Sequence, residues 1–420
     1  MRPLEIAVAG AGPAGLASAL FLHRAGHRVE ILERFDEPAP VGSGLLLQPT
    51  GLTALDALGL SSAIHGLGSR IDRLHGADAR SGRTVLDVRY DALRGGRYGL
   101  AVHRAALFNT LHDAVLRENI LIRTGLAVAT VRQTLERATL LDSAGGEVGS
   151  YDLVLDCTGA RSLLVSSSTV APAARDLAYG AFWATLSGEG AAYDRRALSQ
   201  RYDRAKVMIG ILPAGSEAPG GAERVAFFWS LKTAEADAVK QAGLAAWKAR
   251  VADYWPDCGP LLEQIAGWEQ LTLARYTHRT VRPPYEGRMV FIGDSAHSTS
   301  PQLGQGANMA LLDAAVLAHV LSKSPDVASA LAQYAAARAN HVRLFQMLSL
   351  VFTPFYQSDS AAIAWVRDRL VATVARVPPV QALLASIVSG TLIDPFSQTG
   401  FRECDWLDVP APAHRASVQV

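Results

Sequence analysis

Apolar positions fall into short runs near the start of the chain and into longer periodic stretches near its end. Residues 4–9 form a compact apolar run that predicts a buried strand. A glycine-rich turn follows. The Ala/Leu-rich stretch from about Ala14 to Ala25 then predicts a helix, with Gly26 as its C-terminal stop. Residues 28–32, RVEIL, predict a second strand and complete a strand–turn–helix–strand unit. Residues 42–60 read as a glycine-flanked loop entering an amphipathic helix. Residues 70–97 read as a hairpin, with strands Ile71 to Asp78 and Thr84 to Tyr90 around a Ser81-Gly82 turn. Helix returns over 98–117, and 119–155 carries three or four strands. Between 178 and 283 come four aromatic and β-branched runs: AYGAFWATL, KVMIGILP, RVAFFWSL and LTLARYTHRTV, with a helical stretch, 234–266, before the last. The strand 288–293 leads through a loop to a long Ala-rich helix ending near Ser322. Residues 326–403 are mostly helical, with breaks at Pro354 and Pro378-Pro379.

This order of elements predicts an α/β chain in three parts. One domain is discontinuous and takes residues 1–69, 98–177 and 284–353. A mainly β-sheet domain takes 70–97 and 178–283, and a C-terminal helical region takes 354–420. A length of 420 residues is more than one core usually holds. Hydrophobic residues at 49% and charged residues at 19% exclude a disordered chain. With 40 basic and 39 acidic residues the net charge is +1, which argues against nucleic acid or an anionic membrane surface as a partner. Cys157, Cys258 and Cys404 lie far apart and form no C-x-x-C pair, which fits a reducing compartment. No apolar stretch approaches the ~20 residues of a membrane helix. The expectation is a cytoplasmic protein with no stable membrane anchor, as a monomer or homodimer.

The first turn carries chemistry. Residues 10–15, GAGPAG, match G-x-G-x-x-G between a strand and a helix. Gly10 permits the tight turn, Gly12 lets backbone approach a pyrophosphate, and Gly15 lets helix and strand pack closely. The helix N-terminus, with Ala14 in its first turn, offers free N–H groups and the positive end of the dipole. Glu33 ends the next strand and is placed to accept ribose hydroxyls, which disfavours a 2′-phosphate. Arg34 beside it can flank an adenine or pair with a neighbouring acid. These features predict a Rossmann-type dinucleotide site, and Gly44 in the next glycine-flanked loop joins its candidates.

A second stretch, 293–313, reads GDSAHSTSPQLGQGANMALLD. Gly293 lets Asp294 sit where its carboxylate can bond a sugar-alcohol chain, and Gly304-Gln305-Gly306 opens a helix at about Ala307. The positive end of that helix suits the negative charge of a reduced flavin. Together with GAGPAG and YGLAVHRAAL at 98–107, the pattern GD-x-A-H-x-x-x-P-x-x-G-Q-G-x-N resembles the FAD-dependent aromatic hydroxylases over most of the chain. These are the class A flavoprotein monooxygenases of the para-hydroxybenzoate hydroxylase type. The resemblance implies FAD as cofactor and NAD(P)H as electron donor. It places Arg104 on the ribityl–phosphate chain, Asp294 on the ribityl group, Pro301 near the reactive face of the ring, and Gly304, Gly306 and Asn308 around the pyrimidine edge. It implies that one atom of O₂ enters an aromatic or heteroaromatic substrate through a flavin C4a-hydroperoxide. His297 is then a brace of the loop rather than a proton carrier, and Asp313 a buried helix carboxylate rather than a cofactor ligand.

The third motif of these enzymes, A-D-G-x-x-S followed by arginine, is altered. The chain has Asp156-Cys157-Thr158-Gly159-Ala160-Arg161-Ser162, with the acid two places early and the arginine missing. On a strand Asp156 would face the same side as Thr158. That motif serves nicotinamide binding, so reduction comes either from NAD(P)H directly or from a partner flavin reductase. The DCTG stretch also resembles reductase-fed flavin-dependent halogenases, although their W-x-W-x-I-P is absent. A halogenase-like or other flavin oxidoreductase, and a non-catalytic flavin-binding protein, stand as alternatives. No metal-site or nucleophile motif occurs. The substrate is expected between the 178–283 sheet and the Pro301 loop, walled by Phe182, Trp183, Met208, Phe228 and Trp229. Arg201, Tyr202 and His278 are the polar candidates, and the tail is expected to pack over this pocket or to form a dimer face.

Overall fold

The computed structural model describes residues 1–39, 42–371 and 377–406. Its first layer is a six-stranded sheet in the order Tyr285–Glu286, Met289–Phe291, Leu153–Asp156, Glu5–Ala9, Arg28–Leu32, Leu121–Arg123. All its pairings are parallel except that of Tyr285–Glu286. Both faces are covered, which is why Glu5–Ala9 is an unbroken apolar run rather than an alternating one. Ile6 and Val8 pack on Leu16 and Leu20 of the helix Pro13–Arg24 and on Leu311 and Val316 of the helix Gly306–Lys323. Ala7 and Ala9 face a three-stranded sheet, 128–151, through Val128, Leu140 and Tyr151.

A seven-stranded sheet forms the other layer, in the order Thr272–Ala274, Tyr179–Ser187, Arg224–Lys232, Val207–Pro213, Ala197–Asp203, Arg73–Asp78, Thr84–Arg89. The early hairpin enters it by parallel pairing of Arg73–Asp78 with Ala197–Asp203. One face carries Phe182, Ile209, Phe227 and Trp229, which pack on Trp247, Val251 and Leu261 from the helices Leu244–Tyr254 and Gly259–Glu263. The opposite face carries Met208, Phe228 and Tyr202, with Trp183 and Tyr356 against them. It meets the strand Gly44–Leu47 and the helix Pro378–Ser389, where Leu46, Leu212, Ala385 and Val388 pack together.

Several expectations change. The loop at 42–60 contains a strand, Gly44–Leu47, paired antiparallel with Gly99–His103, and Pro49 then opens the helix Pro49–Ala57. Ile71 belongs to a separate short strand, Ser69–Ile71, that pairs with Gly99–His103 and not with the hairpin. Residues 119–155 hold all or part of five strands. Ala197–Asp203 is a strand that apolar patterning hides, because polar residues occupy both of its faces. LTLARYTHRTV is two short strands, Thr272–Ala274 and Thr277–His278. Pro354 does not break its helix: Val327–Tyr356 is continuous, with Pro354 in its last turn. Of the C-terminal region, 372–376 and 407–420 lie outside the described residues. Among the described residues no helix is long and apolar enough to cross a membrane.

Candidate cofactor and active site

The register of the six-stranded sheet gathers the predicted residues along one edge. Ala9 is opposite Leu32 and Asp156, and Asp156 is opposite Phe291. The segments that follow, Gly10 onward, Glu33, Cys157 and Gly293-Asp294, therefore emerge side by side. Gly10 has φ +100°, and a Cβ there would lie 2.7 Å from the Cys157 carbonyl oxygen. A Cβ on Gly15 would run into the Gly10 carbonyl oxygen. A Cβ on Gly12 would meet no protein atom within 4 Å. The first two glycines are thus demanded by the fold, and the third opens onto space.

The helix Pro13–Arg24 starts at Gly12 with no side-chain cap and no acid in its first turn. Its free N–H groups and dipole are left for an external anion. Ala14 lies in that turn, and a Cβ on Gly293 would sit 3.4 Å from the Ala14 Cβ, so the two glycine loops abut. Glu33 is buried and accepts the Ala11 N–H at 2.7 Å and the Phe35 N–H at 3.1 Å. Those bonds fix the carboxylate at the end of the turn and leave lone pairs for further donors. The Arg34 guanidinium lies 4.5 Å over the Phe35 ring.

Arg104 begins the helix Arg104–Arg117 and its stem covers Gly42. Its exposed guanidinium has no ion-pair or hydrogen-bond partner among the described residues. Gly44 presses on Ala226 and Ala214, which seats its strand on the large sheet. Asp294 is exposed and likewise unpaired among the described residues, and a Cβ on Gly306 would lie 3.6 Å from its Oδ1. The helix Gly306–Lys323 starts without a side-chain cap. An uncapped helix end, an unpaired cation, an unpaired carboxylate and an open glycine are what a diphosphate with a polyol chain requires. The residues present fit FAD.

The loop between these anchors is held from behind. Asp313 is fully buried and accepts from the Gly293 N–H at 3.0 Å, pairs with His297 Nε2 at 2.6 Å and accepts from Arg338 Nε at 2.6 Å. The interactions with His297 and Arg338 hold its carboxyl well below the usual range despite burial. His297 is buried against it and faces no open space. Ser300 bonds Thr353 at 2.7 Å and Ser349 at 3.0 Å, which fixes the exposed Pro301 next to it. Gly304 adopts φ +61° at the turn into the helix. Asn308 reaches across to the strand Gly44–Leu47 and the residue after it. Its amide donates to the carbonyls of Leu46 at 3.1 Å and Gly304 at 2.8 Å, and its oxygen accepts the Gln48 N–H at 2.8 Å. It is spent on tying the two loops together, so its side chain has no donor left for a ring edge.

The altered third motif is turned inward. Asp156 accepts from the Thr158 N–H at 3.0 Å, from the Thr158 hydroxyl at 2.7 Å and from the Ser162 hydroxyl. Burial pushes its pKa up and these bonds pull it back. Arg279 is buried facing it, with Nε and one terminal nitrogen unpartnered among the described residues.

The proposed substrate walls separate onto two faces. Trp229 and Phe182 are stacked 6.3 Å apart inside the helix-covered core, and Arg201 lies 4.7 Å over Trp255. None of the three reaches the cofactor side, because alternation along a strand sends neighbours to opposite faces. Trp183, Phe228, Met208 and Tyr202 share the other face, with Trp183 and Phe228 ring centroids 4.6 Å apart. The Tyr202 hydroxyl is spent on Gln200, 2.8 Å away. His278 pairs with Arg175 in a separate two-stranded ribbon, and burial lowers its pKa. Two residues missing from the expected set lie on the cofactor-side face. Tyr276 receives the Trp183 indole N–H at 2.9 Å, and buried Arg367 lies 5.1 Å from the Tyr202 ring. Tyr276 lies inside the run LTLARYTHRTV, whose polar candidate by sequence is His278. Arg367 gave no sequence signal.

Residues 3–348 match the family described as FAD binding domain. The chain is 26% identical to the aurachin C monooxygenase/isomerase of Stigmatella aurantiaca, over 87% of this chain and 93% of that one. It is 27% identical to an FAD-dependent urate hydroxylase of Klebsiella pneumoniae, over 81% and 87%. The crystal structure of Klebsiella pneumoniae HpxO complexed with FAD and uric acid superposes with a TM-score of 0.77 at 20% identity, covering 93% of this chain and 98% of the other. The two separated glycine loops and the match across most of the chain lead to one conclusion: this protein belongs to the FAD-binding-domain family, as a flavoprotein oxidoreductase of the aromatic-hydroxylase group.

Proposed function

We propose that the protein inserts one oxygen atom from O₂ into an aromatic or heteroaromatic ring held against the cofactor side of the seven-stranded sheet. The observation that carries this reading is that one helix supports two surfaces. The Ser298–Pro301 loop is pinned to the helix Val327–Tyr356, and Tyr356 at the end of that helix packs on the apolar face that holds Tyr202, Met208 and Phe228. In this reading residues 70–97 and 178–283 form the substrate domain, and the helix Pro378–Ser389 closes it through Ala385 and Val388.

FAD, when bound, supplies the oxygen activation. The first helix would hold its diphosphate, Glu33 its ribose, Arg104 the adjoining phosphate chain and Asp294 the ribityl hydroxyls. The helix end at Gly306 would put positive potential beside the pyrimidine edge. The aromatic wall excludes water from the reacting centre and aligns a flat ring. No side chain is needed as nucleophile.

The electron donor in this reading is NAD(P)H, acting directly or through a flavin reductase. Inward-turned Asp156 supports the reductase route, since its carboxylate is committed to Thr158 and Ser162. Anaerobic mixing of the holoenzyme with NADH or NADPH separates the two: fast flavin bleaching without a partner defeats the reductase route. The reading as a whole is tested by O₂ uptake across a set of phenols and hydroxylated heteroaromatics. It expects substrate-dependent uptake and a product with one added oxygen by mass spectrometry. Flavin reoxidation that no aromatic accelerates would point to a non-catalytic flavin binder.

A further inference from the structure

Gln48 follows the strand Gly44–Leu47 and caps the N-terminus of the helix Pro49–Ala57 without using its side chain there. It is fully buried. Its backbone N–H donates to Asn308 at 2.8 Å, and its side-chain oxygen accepts the Tyr90 hydroxyl at 2.5 Å. Tyr90 comes directly after the strand Thr84–Arg89, so this bond joins the seven-stranded sheet to the loop that Asn308 holds. The bond has one direction. Burial raises the Tyr90 pKa, so the phenol keeps its proton and donates it, and the amide presents its oxygen in return. The hydroxyl has little room to shift, since a Cβ on Gly99 would lie 2.7 Å from it. The nitrogen end of the amide is therefore fixed as well. Gln48 Nε2 lies 3.6 Å from where a Cβ on Gly304 would sit, and it has no acceptor among the described residues. A buried donor left unmade is costly, so a donor held this firmly calls for an acceptor from outside the chain.

We propose that the Gln48 amide donates to a carbonyl oxygen on the pyrimidine edge of the flavin, aimed by Tyr90 of the seven-stranded sheet, so that this pair raises the reduction potential of the bound cofactor. This rests on the ring placement of the proposed function, in which the helix end at Gly306, two residues after Gly304, lies beside that edge. Reduction leaves negative charge on the pyrimidine side, and hydrogen bonds to charged acceptors are stronger than those to neutral ones. A donor fixed there favours the reduced form over the oxidised form. Asn308 has its side-chain N–H groups committed to Leu46 and Gly304, so Gln48 supplies the free donor. Tyr90 is a positioning residue that acts through Gln48.

The test is the two-electron reduction potential of the FAD-loaded full chain, measured against reference dyes, with the FAD dissociation constant alongside. Gln48→Met keeps the length of the side chain and a weak acceptor for Tyr90 but removes the donor. The ratio of reduced to oxidised FAD affinity should fall about 10-fold, which lowers the potential by about 30 mV. Tyr90→Phe should lower the ratio a few-fold, because the amide loses its aim. Adding Tyr90→Phe to Gln48→Met should change nothing further. A general loss of packing weakens both redox forms and cancels in the ratio. If Gln48→Met fails to fold, Tyr90→Phe decides. An unchanged potential in the variant that binds FAD overturns the proposal: the donor then meets a water only, and the FAD site stands. A Tyr90→Phe shift that persists undiminished in the Gln48→Met background overturns the coupling of the pair. A wild-type chain that binds no FAD takes down the cofactor site and the proposal together.

Discussion

Arg338 donates from Nε to Oδ1 of Asp313 over 2.6 Å, with both side chains buried. The other oxygen of that carboxylate holds the Gly293 N–H and His297. A residue on the penultimate long helix thus fixes the backbone turn that presents Asp294. Removing one partner of a buried pair costs about 3–5 kcal/mol, because the remaining charge is left uncompensated. Arg338→Met should therefore lower stability by about that amount in denaturant unfolding, and FAD affinity should fall with it. A loss below about 1 kcal/mol would show that the pair does not organise the turn.

His341 provides a pH dependence with a definite sign. Its Nδ1 lies 3.2 Å from an Arg338 terminal nitrogen and its Nε2 lies 3.1 Å from the Gly390 carbonyl oxygen. That arrangement is satisfied by a neutral ring donating from Nε2. Burial, and then the charge of Arg338, lower its pKa from the ordinary 6.5 to about 3. Between those values the unfolded chain takes up a proton that the folded chain refuses. Stability contributed by this site is therefore full above the unfolded value and falls as pH drops from 6.5 towards 3, by up to about 1.4 kcal/mol per pH unit. Asp313, with its pKa depressed, adds a loss at still lower pH. His341→Gln should flatten the upper part of this acid limb in chemical denaturation measured at successive pH values.

The glycines of the first loop should separate into two kinds. Gly12 has ordinary dihedrals, φ −74° and ψ 177°, and open space where a Cβ would go. Gly12→Val should change apo-protein stability by no more than about 0.5 kcal/mol. It should weaken FAD binding roughly 100-fold or more, because the side chain occupies the approach to the diphosphate. Gly15→Val should instead unfold the domain, since its Cβ collides with the Gly10 carbonyl. Thermal melts of the apo forms, with FAD titrations, distinguish the two.

Arg104 should act through charge. Arg104→Met removes a cation that pairs with nothing among the described residues, so stability should hold. FAD affinity should fall about 10- to 100-fold, as for a lost hydrogen bond to a charged group. The wild-type affinity should weaken with added salt more steeply than that of the variant. Equal salt dependence would remove Arg104 from the phosphate contacts.

How much of this was legible in sequence depends on how local each signal is. GAGPAG and Glu33 were readable because a tight turn, a strand end and a helix start lie within one short stretch. The Asp294 loop was readable for the same reason. The walls of the substrate pocket were not. Phe182 and Trp183 are adjacent in sequence and equally aromatic, yet strand register sends one to the helix-covered core and the other to the cofactor side. Asn308 carried a cofactor-binding role by resemblance, while its side chain joins the strand Gly44–Leu47 to the helix start across a separation that no sequence window spans. Pro354 misled for a different reason. In the last turn of a 30-residue helix a proline forfeits little of the ladder, so the helix continues to Tyr356.

The most direct measurement is a titration of the apo-protein with FAD, read by absorbance and flavin fluorescence, in wild type and in Gly12→Val. The account predicts a yellow wild-type protein that takes up one FAD per chain and a folded variant that does not. A wild-type protein that is colourless and fails to take up FAD on reconstitution would contradict it.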